Sequence, residues 1–466
     1  MIDTICAIAT APGGALGVIR ISGCQAIEIA SKMFFPKSGK DFRTVWANHA
    51  TFGTIEFEGQ VIDEVVGVPF YAPHSYTGEN SVEFSCHGSQ YILSKIIHIL
   101  ISYGCRTAQP GEYTKRAFLN GKMDLSQAEA VADVISANSE AYSKIAINQL
   151  KGGIKDTLSF LHKKIVNLRS LLELELDFSD HEDLEFAQRP QLRNMANEIK
   201  HDMDKLASTF SMGNTIKNGI PVAIAGSPNA GKSTLMNALL KEERAIVSDI
   251  PGTTRDTIEE KLYINGIEFR LIDTAGLRKT NDKIESLGIE RTKETVRKAQ
   301  TIIYVVSASE KTNSTSFAEI NIPKGTQLII AVNKTDLISD KKTLEKKGES
   351  IKKTVEKLLG LTPAMVYMSA KEKIGIECLK KTLADIQNVN VSYSANTIIV
   401  NKRHYEALTK ASADMQNVIN SISNNVSAEL VSLDLRQVDY DLMKITGAAT
   451  SQEVLNNIFS KFCVGK

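Results

Sequence analysis

The segment Gly226-Ser227-Pro228-Asn229-Ala230-Gly231-Lys232-Ser233 constrains this chain more than any other feature. It follows the apolar run Val222-Ala223-Ile224-Ala225 and precedes Thr234-Leu235-Met236-Asn237, which has helical character. Strand, glycine-rich loop and helix in that order form a phosphate-binding loop. The glycines let the backbone curl so that successive N–H groups face phosphate oxygens, helped by the positive end of the following helix. Nucleotide contacts are expected from Asn229, Ala230, Gly231, Lys232, Ser233 and Thr234. Lys232 reaches the β- and γ-phosphates and Ser233 holds Mg²⁺. A chance glycine-rich turn would lack the preceding strand and the Lys-Ser pair.

Three later segments fall in the order that such a site requires. Asp273-Thr274-Ala275-Gly276 ends the apolar stretch Glu268–Ile272, so that Asp273 can reach the metal region and the Gly276 N–H can sense the γ-phosphate. Asn333-Lys334-Thr335-Asp336 ends the stretch Leu328–Val332. The Asp336 carboxylate there can accept hydrogen bonds from guanine N1 and N2, a donor pair that adenine lacks, which leaves the site's polar groups unpaired against adenine. Ser369-Ala370-Lys371 can offer a backbone N–H to the guanine O6. Each short segment alone reads as a solvated loop, but all four in register predict a GTP site. A small-metabolite kinase needs no guanine reader, so that reading is disfavoured.

The hydrolytic apparatus departs from the commonest pattern. Many GTPases position water with a Gln after the DxxG turn, whereas Gly276 is followed by Leu277 and Arg278. Another polar group must orient the nucleophile. Glu285 is the candidate, directly or through a second water, and an exposed carboxylate at a helix start is the competing reading. Positive charge at the transition state is a second requirement. Asn229 together with carbonyls of the segment Ser248–Asp256 can cage a K⁺ ion where other enzymes place an arginine. The alternative for Asn229 is a side chain that stabilises its own loop. Thr254 is the candidate for completing the Mg²⁺ shell.

Organisation along the chain is α/β, then α, then α/β, then α. At 466 residues the chain exceeds what one core can hold, single cores ceasing to grow near ~250–300 residues. Residues 1–120 mix short apolar runs with Gly and Pro punctuation. Residues 121–216 turn to long helices, with Leu161, Ile165, Leu168 and Leu172 at helical spacing. Residues 217–385 alternate strands and helices, the pattern of a parallel sheet with crossovers. Residues 386–466 are helical again, with Leu435, Val438, Leu442 and Ile445 in phase. This last part is short for an independent core, so it is expected to complete the helices of 121–216, with the α/β unit inserted between them.

Charge and cysteines narrow the class further. Lys plus Arg (55) and Asp plus Glu (54) nearly cancel, so a whole-chain basic footprint for RNA is missing while local patches stay open. The cysteines Cys6, Cys24, Cys86, Cys105, Cys378 and Cys463 form no metal or disulfide pattern; only Cys463, near the end, is a candidate for reactivity. No run reaches the ~18–20 apolar residues of a spanning helix, and the start, Met1-Ile2-Asp3-Thr4, lacks a basic, apolar leader. A cytoplasmic protein with no membrane association is expected.

Further segments carry a family resemblance: Ala11-Pro12-Gly13-Gly14, Val18–Gly23, Pro73–Glu79, Pro110–Asn120 and the ending Phe462-Cys463-Val464-Gly465-Lys466. With the nucleotide motifs they resemble the bacterial and organellar tRNA-modification GTPase family MnmE (TrmE) over nearly the whole length. The resemblance implies a tetrahydrofolate-binding and dimerising N-terminal domain, a discontinuous helical domain and an inserted Ras-like G domain. It implies folate contacts at Arg20, Glu83, Lys122 and Lys466, the donor being 5,10-methylene- or 5-formyl-tetrahydrofolate. Without the resemblance, Arg20 and Lys122 read as surface charges and Glu83 as the wet face of a strand. It also implies K⁺ ligands at Asn229, Ser248, Ile250 and Thr253, and Mg²⁺ ligands at Ser233 and Thr254. Glu285 becomes the catalytic glutamate, with Cys463 as a further candidate. At Ser248 and Pro251 the family often has Thr and Ala. The implied partners are a second copy of the chain, an FAD-containing protein forming a heterotetramer, and tRNA modified at C5 of the wobble uridine. A ribosome-assembly GTPase is the alternative; it calls for an RNA-binding module or a second G domain, and the sequence offers neither.

Overall fold

The computed structural model describes residues 3–11, 13–177, 188–227, 229–241, 260–272, 296–309, 322–323, 325–338, 340–386 and 397–466. The chain forms two compact units. The first joins Met1–Ser136, Ala146–Ala207 and Arg403–Lys466, and the second joins Ala137–Ile145 and Ser208–Lys402.

The first unit opens on a seven-stranded sheet. Its strands are β1 (Thr4–Ile8), β2 (Leu16–Ser22), β3 (Phe34–Pro36), β4 (Thr51–Phe57), β5 (Gln60–Phe70), β6 (Ser81–His87) and β7 (Cys105–Thr107). They lie in the order β3-β4-β5-β6-β2-β1-β7, antiparallel except for the β1–β7 pair. The period-2 alternation of β6 sends Val82, Phe84 and Cys86 into the core and leaves Glu83, Ser85 and His87 on the other face. Helices α1 (Ala26–Ser31) and α2 (Gln90–Ser102) cover the apolar face, where the rings of Phe34, Phe42 and Phe84 meet.

Helices α3 (Glu112–Leu119), α4 (Leu125–Ser136), α5 (Glu140–Leu150), α6 (Gly153–Asp177) and α7 (Arg189–Ser208) follow. In the second unit come α8 (Phe210–Asn218), β8 (Ile220–Gly226), α9 (Lys232–Lys241), β9 (Glu260–Ile264), β10 (Ile267–Ile272), β11 (Thr301–Ser307) and β12 (Gln327–Asn333). That unit continues with α10 (Lys341–Leu359), β13 (Ala364–Tyr367) and α11 (Ile376–Ile386). The chain returns to the first unit with α12 (Lys402–Ser423), α13 (Ala428–Thr446) and α14 (Gln452–Phe459).

The six-stranded sheet of the second unit runs β13-β12-β11-β8-β10-β9, parallel except for the β9–β10 hairpin. Every residue of β11 is buried, as a central parallel strand covered on both faces requires. In the first unit α13 packs along α6, which buries the stripe Leu161, Ile165, Leu168, Leu172 together with Leu435, Val438, Leu442 and Ile445. The fold is therefore α/β plus α, with an N-terminal α/β part, helices from both flanks and an inserted G domain.

The two units divide the chain differently from the four segments read in the sequence. The N-terminal sheet and the helices fall in one unit, because Leu125, Phe459 and half-buried Phe118 and Phe462 share a cluster that joins α3, α4 and the end of the chain. The stretch Ala137–Ile145 groups with the second unit, where Tyr142 and Ile145 enter its core and the Ala141 N–H donates to the Gly266 carbonyl at 3.0 Å.

Candidate functional site: a phosphate loop with a guanine reader

β8 delivers the phosphate loop at the carboxyl end of the parallel sheet, the edge where open α/β sheets bind ligands. Two glycines are required by conformation and by space. Gly226 has φ 144°, and the Val305 carbonyl oxygen occupies the place a Cβ would take; Gly231 has φ 94° and lies against the Asn333 amide. Between them Asn229 takes φ 57°, a left-handed conformation that Asn tolerates better than most residues. Its side chain is exposed and, among the described residues, makes no hydrogen bond.

Lys232 opens α9 and folds back over the loop, its Nζ donating to the carbonyls of Gly226 at 2.9 Å and Ser227 at 2.7 Å. Burial lowers its pKa, and an anion brought alongside would raise it again. Ser233 and Thr234 follow in the first turn of α9.

Asn333, at the end of β12, joins two other motifs. Its Nδ2 donates to the Ala230 carbonyl at 2.8 Å and its Oδ1 accepts the Ala370 N–H at 2.9 Å, so one buried amide ties the phosphate loop to the Ser369-Ala370-Lys371 turn. That turn is closed by paired backbone hydrogen bonds between Ser369 and Ile374. Lys334 takes a left-handed conformation, φ 64°, which turns the chain into the short 3-10 helix Thr335–Leu337. The Thr335 N–H donates to the Met368 carbonyl at 3.2 Å, and Asp336 is left exposed. Lys371 is exposed beside Glu372. Spacing pointed to the motif residues, but the bridging role of Asn333 was invisible because its partners lie 103 and 37 residues away. Ser248, Ile250, Thr253, Thr254, Asp273, Gly276 and Glu285 lie outside the described residues.

A second constellation sits in the first unit, around Arg20. The β2–β6 register sets Arg20 opposite Glu83, and Arg20 Nε donates to Glu83 Oε1 at 2.8 Å. The guanidinium carbon lies 5.6 Å from the ring centroids of both Tyr76 and Tyr113. Nη1 donates to the Gly465 carbonyl at 3.3 Å, so the C-terminal tail closes on the same arginine. The tail is tied down again where the Gly111 N–H donates to the Cys463 carbonyl, 3.3 Å away. Lys122 Nζ donates to the Pro73 carbonyl at 2.9 Å, and its stem lies against Gly78 in the turn that carries Tyr76. Lys466 is half-buried and the Cys463 side chain exposed. Arg20, Glu83, Lys122 and the tail thus gather around one turn, a donor set suited to a ligand with carboxylates at one end and N–H groups at the other. Tyr76 and Tyr113 were not singled out as functional; they belong to the segments 73–79 and 110–120, and nothing in their spacing signals the stack.

Beneath this site a charged cluster fixes α3. Arg116, 1% exposed, donates to Asp3, Glu79 and Glu112. Burial alone would raise the Glu112 pKa, but hydrogen bonds from Arg106, the Gln109 N–H and Arg116 outweigh it and hold the carboxyl below its ordinary value. Glu79 Oε2 also accepts from Ser22 Oγ at 2.8 Å, which locks the turn 73–79 onto β2.

A phosphate loop at the carboxyl end of a parallel sheet, tied through Asn333 to the Ser369-Ala370-Lys371 turn, defines a P-loop GTP hydrolase. Two family models match the chain: the GTP-binding protein TrmE N-terminus over residues 4–122 and the MnmE helical domain over residues 125–463. The tRNA modification GTPase MnmE of Bacteroides thetaiotaomicron is 48% identical over 100% of this chain and 99% of its own length. That of Flavobacterium johnsoniae is 46% identical over the same shares. Among solved structures, the FeoB G-domain from Methanococcus jannaschii is 27% identical, covering 36% of this chain and 96% of its own, with a TM-score of 0.24. The chain belongs to the MnmE family. No helix among the described residues is long and apolar enough to cross a membrane.

Proposed function

We propose that this GTPase acts on tRNA, coupling GTP hydrolysis to the addition of an aminomethyl-type group at C5 of the wobble uridine. A tetrahydrofolate bound at the Arg20 site supplies the one-carbon unit, and a flavoprotein partner completes the modifying complex with a dimer of this chain. The observation that carries the reading is Arg20 itself, held between Tyr76 and Tyr113, paired with Glu83 and covered by the tail at Gly465. A surface arginine has no need of two aromatic faces, a carboxylate and the end of the chain.

At the nucleotide site, backbone N–H groups of 229–233 and Lys232 bind the phosphates, while Asp336 and the Ala370 region select guanine. Ser233 and Thr254 would hold Mg²⁺. Asn229, Ser248, Ile250 and Thr253 would hold K⁺, which would supply positive charge beside the transferred phosphoryl group. Glu285 orients water in place of the Gln that Leu277 replaces. Cys463, exposed on the docked tail, is a candidate for contact with the one-carbon chemistry. Dimerisation of G domains around K⁺ is the step expected to speed hydrolysis.

The test is deletion of the gene followed by mass analysis of wobble uridines. Loss of the C5 modification supports the reading, and unchanged nucleosides contradict it. A chain truncated before Phe462 separates the tail's part from that of the nucleotide site.

A further inference from the structure

We propose that the outward face of α10 binds the phosphate backbone of RNA through Lys342, Lys346, Lys353 and Lys357, an inference that rests on the tRNA reading above. At ~100° per residue the four positions fall within a sector of ~60°, and at ~1.5 Å rise per residue they span about 22 Å. All four are exposed, and none forms an ion pair among the described residues.

The helix is sorted around its axis. Ile351 and Val355 are buried in the core of the sheet, with half-buried Leu344 and Leu359 packed against it. Gly348 lies under the Tyr367 hydroxyl. Glu345 and Glu349 lie near enough to Tyr367 that burial and then these two carboxylates push its phenol up, and at ~100° per residue they border the lysine stripe. The lysines are left on the water side, although Glu345, Glu349 and Glu356 sit at spacings that commonly pair. Lys347 shows what a structural lysine does on this helix: its Nζ donates to the Ser307 and Ala308 carbonyls at the end of β11. The four outward lysines have no such task.

The charge is local. The helix Lys341–Leu359 carries seven lysines against three glutamates in a chain with a net charge of +1. Flexible ammonium groups without the planar fork of arginine suit phosphate contacts that position an RNA without reading its bases. An anionic membrane is disfavoured because the apolar face of this helix is consumed by the sheet, leaving no face to insert between lipids.

The experiment measures binding of an unmodified tRNA transcript to the full chain across a salt series, with K342Q, K346Q, K353Q and K357Q combined. Four lost phosphate contacts make the slope of log affinity against log salt shallower by about 3. Binding at low salt is expected to weaken at least ~10-fold, as the non-specific electrostatic term is removed. GTP turnover without RNA stays unchanged, since these side chains lie outside the nucleotide site, and the four-arginine counterpart restores binding. Equal affinity and slope in the glutamine variant would overturn this surface and leave the tRNA reading standing. A loss of binding to phosphatidylserine vesicles with unchanged tRNA binding would also overturn it. Failure of the unaltered chain to bind tRNA would remove both readings.

Discussion

The Asn333 side chain donates to the Ala230 carbonyl at 2.8 Å and thereby holds the phosphate loop against the end of β12. The same amide accepts the Ala370 N–H at 2.9 Å, and the residue is 3% exposed. Replacing it by Ala leaves a buried carbonyl and a buried N–H unpaired, each costing about 1–3 kcal/mol. Asn333→Ala is expected to weaken GTP and GDP binding by at least ~10-fold, tenfold corresponding to about 1.4 kcal/mol. Equilibrium titration with a fluorescent guanine nucleotide measures it; unchanged affinity would mean that the bridge is incidental.

Asp336 is exposed in the turn after Lys334, and among the described residues no side-chain hydrogen bond or ion pair gives it a structural task. An amide at this position can donate to the C2 carbonyl of xanthine but cannot accept both guanine donors. Asp336→Asn is therefore expected to lose ~100-fold or more of GTP affinity and to gain binding of xanthosine triphosphate, consistent with the discrimination available to a hydrogen-bonding pocket. Competition between the two nucleotides reads the switch directly.

Arg20 donates to Glu83 while lying between two tyrosine rings, so charge alone does not define it. Lysine keeps the charge but loses the flat, stacked fork. Arg20→Lys is expected to reduce 5-formyltetrahydrofolate binding by ~10-fold, the weakened contacts with the two rings and with Glu83 amounting to about 1–2 kcal/mol. GTP turnover should be unaffected. Calorimetry on the purified protein tests the first part and a phosphate-release assay the second.

The helical part carries a buried charged cluster whose pH dependence has a definite sign. Glu129 accepts from Arg403 Nε at 2.9 Å and from His404 Nε2 at 2.6 Å, while Arg403 also donates to the Lys444 and Ile445 carbonyls at the end of α13. Burial alone would raise the Glu129 pKa; the His404 charge and the hydrogen bonds from both partners lower it to about 2 from 4.5. A depressed folded-state pKa contributes stability that is complete above the unfolded value and is lost as pH falls. The contribution, on the order of 3 kcal/mol, should therefore fade between pH 4.5 and about 2. Denaturant titrations at several pH values check this: Glu129→Gln should be less stable at neutral pH and should lack this part of the acid dependence.

What could be read from the sequence and what could not divide along contact distance. The phosphate loop is contiguous because backbone N–H groups must converge on one phosphate, so its residues stand next to one another in the chain. The stripe Leu161, Ile165, Leu168, Leu172 and its counterpart in α13 were visible because a helix repeats its buried face every three to four residues. The Asn333 bridge and the Tyr76–Arg20–Tyr113 stack were not, since their partners come from other elements and carry no periodic signal. The same holds for Ala137–Ile145, whose local pattern is helical but whose Tyr142 packs in the core of the other unit. The lysine stripe of α10 was hidden in a near-neutral total, because a net charge averages over the surfaces that partners meet.

The central claim is that an alkali-metal ion held by Asn229 supplies the charge that speeds GTP cleavage, and it is tested by initial rates of phosphate release in K⁺ and in Na⁺ at equal ionic strength. The account predicts turnover at least ~10-fold faster in K⁺, within the range by which one electrostatic contact at the transition state changes rates. It also predicts that Asn229→Ala removes the difference while nucleotide binding persists. Equal rates in the two salts, or an Asn229→Ala variant that still responds to K⁺, would contradict it.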